Sequence, residues 1–459
     1  MGSNWKRYPF EDCMAAIIDY RGKTPKKTTS GIPLITAKII KNGSIQPVTE
    51  FIAEEDYESW MRRGIPMPGD VVLTTEAPLG EVAQLDERKI ALAQRVITLR
   101  GKSGFLDNTF LKYLLISNDV QHQLDGRGTG TTVKGIKQSE LRKVELPIPE
   151  INTQLSIAKI LGDLDKKIEL NKQTNQTLEN MAQTMFKSWF VDFDPVFDNL
   201  LAKADFKLEN LASDFPEALS KRAQKRLLAL DNKAKTALLS ANLSSEEAPQ
   251  TNIHQHFPNE FEHNEQLGWI PKGWENGTLA NVANALSGYA FKSKDFSDEG
   301  CAVIKIKNIS ADRSVKISDV NRVPENIAAI ASRFKLIDGD IVMAMTGATV
   351  GKFGVIASES NEPYYLNQRV CKLSAKLENG SPFLFAALNK PGVEEGIVSA
   401  AQGSAQPNIS ATGILATKLL VPRVSLIELF NSSLKSTFAR KIALKKENYT
   451  LTKLRDTLL

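Results

Sequence analysis

The chain repeats itself, and this duplication constrains its fold more than any other feature of the sequence. The pentapeptide LAQRV at 92–96 returns as LNQRV at 366–370. A repeat at such a distance marks one structural unit that is used more than once. Further matched segments follow in the same order and at nearly the same spacing: NWKRYPFED (4–12) with GWENGTLAN (273–281), IPLITAKII (32–40) with CAVIKIKNI (301–309), PGDVVLTTEAPLGEVAQL (68–85) with DGDIVMAMTGATVGKFGVI (338–356), and LRKVELPIP (141–149) with LATKLLVPR (415–423).

Both copies have the same internal order. Short apolar runs separated by Gly and Pro come first and are typical of a mixed, strand-rich domain. A long helical segment follows; in the first copy its seam positions alternate by four and three residues from 157 to 189, as in a coiled coil. The second copy ends in a similar, less regular segment. One such helix alone would be expected to pack against its own domain, but two at equivalent places favour pairing with each other.

The sequence therefore predicts an α+β fold. It is a tandem duplication of a strand-rich mixed domain followed by a long helix, and the two helices pair as an antiparallel coiled coil. The expected boundaries are 1–149 for the first domain, 150–194 for the first long spacer helix, 195–265 for a polar linker with some helix, 266–422 for the second domain and 423–459 for the second long spacer helix. The residues expected to pair the helices are Leu161, Leu164, Ile168, Asn171, Asn175, Leu178, Phe438, Ile442 and Leu451.

Composition argues against several classes of protein. The longest apolar runs fall far short of the ~18 residues that a membrane helix needs, and the first residues contain no apolar signal segment. The three cysteines are far apart, which fits neither a disulfide framework nor a zinc site. We therefore expect a cytoplasmic protein without membrane contact. His254, His256 and His263 have no partner cysteine or HExxH frame, so a solvated linker is favoured over a metal site.

No segment of the sequence matches a catalytic motif completely. GATVGKF at 347–353 resembles a phosphate-binding loop but is one residue short and has Phe353 where Ser or Thr would hold Mg²⁺. NEPY at 361–364 has Glu362 where a base-gripping methyltransferase box would have Pro, and no methyl-donor loop precedes it. GRGTGTTVKG at 126–135 is typical of a surface loop. We predict no catalytic residue, no cofactor and no metal.

Basic residues cluster in the loops at equivalent places of both copies. Exposed Lys and Arg neutralise phosphates, and neighbouring Thr, Asn, Ser and Gln can reach base edges. Ordinary surface charge would explain any single lysine equally well. The clustering leaves two interpretations open, DNA binding and ordinary surface charge. The candidate DNA-binding residues are Arg21, Lys23, Lys26, Lys27, Lys38, Lys134, Lys292, Lys294, Lys305, Lys307 and Lys352.

Several motifs together resemble a known family over essentially the whole chain. They are SGYAFKSKDF (287–296), TGATVGKFGVI (346–356), TQLSIAKILGDLDKKIELN (153–171), MFKSWFVDFDPV (185–196) and FPNEFEHNEQLGWIPKGWE (257–275). On these motifs the chain resembles the specificity (S) subunit of type I restriction–modification enzymes.

The resemblance implies a non-catalytic subunit that recognises a bipartite site on double-stranded DNA. Each strand-rich domain would be a target-recognition domain that reads one half-site. The helices would dock methyltransferase (M) subunits in a complex that recruits restriction (R) subunits. It also implies that the repeated Gln94–Arg95 and Gln368–Arg369 belong to the shared strand framework, with sequence readout where the copies differ. A stand-alone DNA-modifying enzyme and a helical adaptor without sequence readout are the alternatives.

Overall fold

The structure, a computed structural model, forms two compact units. The first consists of Met1–Leu170 with Thr450–Leu459, and the second of Asn171–Tyr449. Each unit therefore contains one strand-rich domain and a part of both long helices. The described residues are 5–20, 24–130, 133–211, 215–232, 234–236, 238, 253–310, 312–317, 319–359, 362–401 and 407–459.

The first domain is built on a four-stranded antiparallel sheet in the order β2-β10-β7-β8 and a three-stranded sheet in the order β6-β3-β9. β10 pairs with both β2 and β7, while β3 and β9 run parallel. β1 pairs antiparallel with β11, and β4 with β5. The strands are β1 (Lys6–Pro9), β2 (Met14–Asp19), β3 (Ile32–Ile35), β4 (Ile40–Lys41), β5 (Ser44–Ile45), β6 (Phe51–Ile52), β7 (Val71–Thr75), β8 (Leu79–Gln84), β9 (Ala91–Leu92), β10 (Val96–Gly101) and β11 (Glu145–Ile148).

The second domain repeats this arrangement. One four-stranded sheet has the order β15-β22-β19-β20, and the other has the order β17-β16-β21-β18 with β16 and β21 parallel. β14 pairs antiparallel with β23, as β1 does with β11. The strands are β12 (Phe261–Asn264), β13 (Gly268–Pro271), β14 (Glu275–Thr278), β15 (Ala283–Ser287), β16 (Cys301–Ile304), β17 (Asn321–Val323), β18 (Lys335–Leu336), β19 (Ile341–Ala344), β20 (Phe353–Val355), β21 (Tyr364–Leu366), β22 (Val370–Ala375) and β23 (Lys418–Val421).

Two helices are far longer than the others. The first long helix is Ile151–Phe190 and the second is Val424–Leu458. The remaining α-helices are Phe10–Cys13, Tyr57–Trp60, Asn108–Ile116, Asn118–Arg127, Gln138–Leu141, Asp194–Lys203, Glu217–Ala229, Leu279–Val282, Glu325–Ile330, Ser381–Leu388, Val393–Ala400 and Ala411–Leu415. Within the described residues, no helix is long and apolar enough to cross a membrane.

A buried ion pair occurs at the same place in both domains. Asp70 accepts two hydrogen bonds of 2.7 Å from Arg100, and Asp340 accepts one of 2.7 Å from Lys372. Each aspartate also accepts a backbone N–H, from Met67 and Ile337 respectively. In both copies this ion pair joins a strand to the turn that precedes the neighbouring strand. Contacts between single side chains therefore confirm the predicted duplication.

The two long helices pack together in antiparallel orientation. In the first unit Arg455 donates a hydrogen bond of 2.9 Å to Asp165. In the second unit Asn171 donates one of 2.9 Å to Asn448, and Lys441 donates one of 2.7 Å to Glu179. Residues later in the first long helix contact residues earlier in the second, so the two helices are antiparallel. The predicted fold class is confirmed.

The residues expected to pair the helices have different surroundings. Leu161, Ile168 and Asn171 are buried, whereas Leu164, Asn175, Leu178 and Leu451 are half-buried. The contacts of Phe438 and Ile442 are with the second domain: the Phe438 and Phe385 rings lie 6.0 Å apart, and both residues lie against Gly339. The apolar stripe that contains them therefore packs on this domain.

The end of the first long helix belongs to the largest hydrophobic core of the second unit. Phe186, Trp189 and Phe190 pack there with Phe430 of the second long helix at ring distances of 5.3 to 5.9 Å. Phe193 then takes a left-handed conformation, with φ 57°, that ends the helix before Asp194 begins the next one.

The segment that follows is also folded where the structure describes it. Phe197 and Leu201 are buried in this core, although the sequence indicated a polar linker. Arg226 donates two hydrogen bonds to Asp198, and His254 lies 3.1 Å from the same carboxylate. Burial raises the pKa of Asp198, but these two partners outweigh it and hold the pKa below its usual value. His254 therefore has a polar partner rather than a solvated position.

Candidate nucleic-acid interface

The repeated Gln–Arg dipeptide lies in a turn that joins the two sheets of each domain. The turn follows β9 and precedes β10 in the first domain, and it follows β21 and precedes β22 in the second. Its flanking residues are fully buried: Leu92 and Val96 in the first domain, Leu366 and Val370 in the second.

The side chains of the dipeptide itself point away from these cores. Arg95, Gln368 and Arg369 are exposed, and Gln94 is half-buried. The expectation that the dipeptides belong to the strand framework is therefore wrong for their side chains. The framework consists of the leucine and valine on either side, and the turn presents Gln and Arg to solvent.

Two further segments lie beside this turn in the first domain. The Thr75 N–H, at the end of β7, donates a hydrogen bond of 3.0 Å to the carbonyl of Arg95. The Thr75 carbonyl in turn accepts one of 2.9 Å from the N–H of Ile136. Glu76 and Gly135 form a β-bridge next to it. The dipeptide turn, the end of β7 and residues 135–136 thus lie side by side.

The second domain has the same three-segment arrangement. Met345 donates a hydrogen bond of 3.0 Å to the carbonyl of Arg369, and its own carbonyl accepts one of 3.0 Å from Ile409. Thr346 and Asn408 form the matching β-bridge. We call this set in either domain the junction surface: the dipeptide turn, the end of the neighbouring hairpin, and the loop bridged to it.

The loop that contains Lys292 and Lys294 is joined to the second junction surface. Tyr289 donates a hydrogen bond of 2.8 Å to the carbonyl of Leu366 and accepts one of 2.9 Å from the N–H of Gln368. Gly288 permits this approach, because a Cβ there would lie 2.3 Å from the carbonyl oxygen of Asn367. Lys292 and Lys294 are both exposed. The segment that leads into two of the predicted lysines is therefore hydrogen-bonded to the turn that contains the repeated dipeptide.

Apart from Lys305, the other candidate basic residues fall into four groups. Lys26 and Lys38 are exposed and form no ion pair with a residue that the structure describes. Lys27, Lys134 and Lys307 are paired with Glu50, Asp125 and Asp319. Lys352 is half-buried at the edge of the second junction surface, where its carbonyl accepts a hydrogen bond from Ala344. Arg21 and Lys23 lie outside the described residues.

Lys305 has a structural position. Its ammonium group lies 3.6 Å from the centroid of the Phe296 ring, a cation–π contact. Burial, with a smaller effect of Lys307, lowers the pKa of Lys305. An ammonium that covers an aromatic ring is less available for a phosphate, so this contact favours a role in holding the lysine-bearing loop in place.

A polar cavity of about 440 Å³ lies in the first unit. On its wall Asp165 binds Lys112, Tyr113 and Arg455 at 2.6, 2.7 and 2.9 Å. Burial opposes ionisation of Asp165, but Lys112 and the hydrogen bonds keep its pKa below the usual value. Burial and Asp165 raise the pKa of Tyr113. This carboxylate is fully engaged, and it fixes the last turns of the second long helix.

The described part of the chain contains no group of three or more His, Cys, Asp or Glu side chains placed to hold a metal ion. The two copies of the candidate interface differ in their loops and agree in the dipeptide turn.

The chain is similar to specificity subunits of type I restriction enzymes. The family model "Type I restriction modification DNA specificity domain" matches residues 3–180 and again 271–447. The HindI specificity subunit of a type I restriction enzyme from Haemophilus influenzae is 28% identical over 363 residues, covering 76% of this chain and 75% of that protein. The MjaIX specificity subunit from Methanocaldococcus jannaschii is 24% identical over 438 residues, covering 93% and 85%.

A solved structure supports the same fold. The type I restriction–modification S subunit from M. genitalium aligns over 100% of this chain and 96% of its own, with a TM-score of 0.52 and 16% sequence identity. The chain contains a strand-rich domain followed by a long helix, and both are present twice. It is therefore a duplicated two-domain protein with the same fold as that subunit. The chain belongs to the type I restriction–modification DNA specificity family.

Proposed function

We propose that the chain is the non-catalytic specificity subunit of a type I restriction–modification complex in the cytoplasm. Each strand-rich domain reads one part of a bipartite target on double-stranded DNA, and the sequence between the two parts is not read. The paired helices dock the methyltransferase subunits, and the assembled complex recruits the restriction subunits.

The observation that carries the proposal is the duplicated junction surface. Two domains of one topology present the same backbone arrangement and the same exposed dipeptide, yet surround it with different loops. A constant frame with variable loops suits two domains that bind one kind of polymer and recognise different sequences on it. Phosphate contacts position such a domain, and base contacts give it specificity.

Exposed apolar side chains on the first long helix support the docking of partner subunits. Leu155, Ile160 and Met181 are 49%, 57% and 59% exposed although the helix also packs against the other long helix. Large apolar side chains that remain exposed on a folded protein are common at protein–protein interfaces. The helices are thus suited to contact another subunit in addition to each other.

The proposal is tested by mapping methylated adenines after co-expression of the chain with its methyltransferase subunit. We expect an interrupted target, with two defined parts and a gap of fixed length. Methyltransferase expressed alone is the control. A continuous target, or methylation that does not depend on the chain, would refute bipartite recognition by this subunit.

The alternatives make different predictions. A stand-alone DNA-modifying enzyme would methylate or cleave DNA when purified to homogeneity, whereas we expect no turnover by the chain alone. A helical adaptor would bind all duplexes equally in a mobility-shift assay at moderate salt. Docking is tested with Ile160→Asp, which should reduce co-purification of the methyltransferase, whereas Lys166→Asp at an exposed site on the same helix should not.

A further inference from the structure

The identity of the dipeptide in both domains requires an explanation other than folding. Buried residues such as Leu92 and Leu366 remain alike because the core selects them. Exposed side chains are free of that constraint, and their neighbours differ: Ala93 corresponds to Asn367, and the hairpin residue Glu76 corresponds to Thr346. Gln and Arg are nevertheless the same in both turns.

The surrounding contacts do not use these side chains to hold the fold. Arg95 lies 3.7 Å from Glu76, a long and exposed ion pair. Arg369 forms no ion pair with any residue that the structure describes. The backbone of each turn is fixed instead, through the carbonyls of Arg95 and Arg369. Two well-positioned turns therefore present guanidinium and amide groups that are available to a ligand.

The chemistry of the pair indicates which part of DNA it contacts. A guanidinium group binds a phosphate with two parallel hydrogen bonds, and a glutamine amide can donate a further one. The same two residues on the same backbone turn do not distinguish two different half-sites. They suit a feature that both half-sites share, and the sugar–phosphate backbone is present at every site.

We propose that Gln94–Arg95 and Gln368–Arg369 are sequence-independent phosphate contacts, one in each domain, that fix the position of the domain on the duplex. This inference rests on the proposed function, because it assumes that both domains bind duplex DNA. The lysine-bearing loop beside the second turn then approaches the bases from a defined position, since Tyr289 ties it to Leu366 and Gln368.

The test uses the full chain with Arg95→Ala, Arg369→Ala and the double variant. Binding is measured against salt concentration on the mapped target and on a mixed-sequence duplex of the same length. Each variant should reduce the slope of log K against log salt by about 0.9, and the double variant by about twice as much. The loss should be equal on both duplexes, so the ratio of the two affinities stays unchanged.

Matched controls separate this effect from loss of net charge. Arg142→Ala in the first unit and Arg440→Ala on the second long helix each remove one arginine away from the turns and should leave the slope unchanged. Arg95→Lys with Arg369→Lys retains the charge and should restore most of the slope. If an alanine variant folds poorly, Arg95→Gln with Arg369→Gln removes the charge while keeping a long polar side chain, and it should flatten the slope as the alanine variants do.

Two results would overturn the inference. A slope of the double variant equal to that of the controls would show that the arginines do not contact phosphates. A loss confined to the mapped target would show that they read bases. If wild type binds both duplexes equally while the variants still reduce the slope, the phosphate contacts stand and the proposed sequence recognition fails.

Discussion

The ammonium group of Lys441 lies 2.7 Å from a carboxylate oxygen of Glu179, and the two side chains are 6% and 14% exposed. This contact joins the two long helices within the second unit. Lys441 also lies 3.7 Å from the centroid of the Phe385 ring. Burial lowers the pKa of Lys441, and Glu179 opposes that effect. The pair therefore ties the helix seam to the neighbouring domain.

Loss of one member of this pair should be more harmful than loss of both. Glu179→Leu leaves the Lys441 charge buried, which costs about 3–5 kcal/mol, whereas the double variant Glu179→Leu/Lys441→Leu should be near neutral. Urea denaturation measures the free energy of unfolding, with the exposed Glu428→Leu as control. Additive effects of the two single changes would contradict the coupling.

Asn171 and Asn175, which the sequence treats alike, should respond in opposite ways to substitution by leucine. Asn171 is buried and donates to Asn448, whereas Oδ1 of Asn175 is buried without a hydrogen-bond partner among the described residues. An unsatisfied buried acceptor costs about 1–3 kcal/mol. Asn175→Leu should therefore raise the melting temperature and Asn171→Leu should lower it. A rise in melting temperature for both variants would show that the hydrogen bond from Asn171 to Asn448 contributes nothing to stability.

The stability of the chain should increase with pH because of Lys445. Burial, reinforced by Lys441, lowers the pKa of Lys445 to about 8 from its ordinary value of 10.5, while Glu179 and Asp312 oppose the shift. The unfolded chain retains this proton up to the ordinary value, whereas the folded chain releases it near 8. Between these values the unfolded state binds more protons, so stability rises with pH.

Removal of the Lys445 ammonium group should abolish this rise in stability with pH. Lys445→Met should melt at a higher temperature than wild type at pH 7, and the difference should shrink as the pH approaches 10. The exposed Lys453→Met on the same helix is the control and should follow wild type. Parallel melting curves of Lys445→Met and wild type across this range would disprove the assignment.

Lys292 and Lys294 should contribute to binding of every DNA sequence. Both are exposed on the loop next to the second junction surface. Their replacement by alanine should flatten the dependence of log K on log salt by about 0.9 for each lost phosphate contact. Lys203 and Lys272, which are exposed and both bind Glu260, are the matched control pair. An unchanged slope would exclude phosphate contacts by this loop.

The sequence predicts the repeated architecture well because the repeat and the helical periodicity are local patterns. It does not predict Asp165–Arg455, a contact between residues 290 positions apart, because heptad spacing leaves the register of two helices open. The buried Phe197 and Leu201 were also missed, since a few apolar residues in a charged segment resemble a linker. The resemblance assigned Arg95 and Arg369 to the shared strand framework, but a turn between two strands exposes its own residues even where the flanking residues are buried.

The pairing of β1 with β11 and of β14 with β23 has an evolutionary consequence. In the first domain Lys6 faces Ile148, and in the second Glu275 faces Val421, so each domain begins and ends on neighbouring strands. Such strands lie about 4.8 Å apart, a geometry that tolerates insertion of a whole domain. Each domain is in this sense a cassette. Recombination between related genes would exchange one cassette for another, and under the proposed function this changes the DNA sequence that is recognised while the helices stay the same.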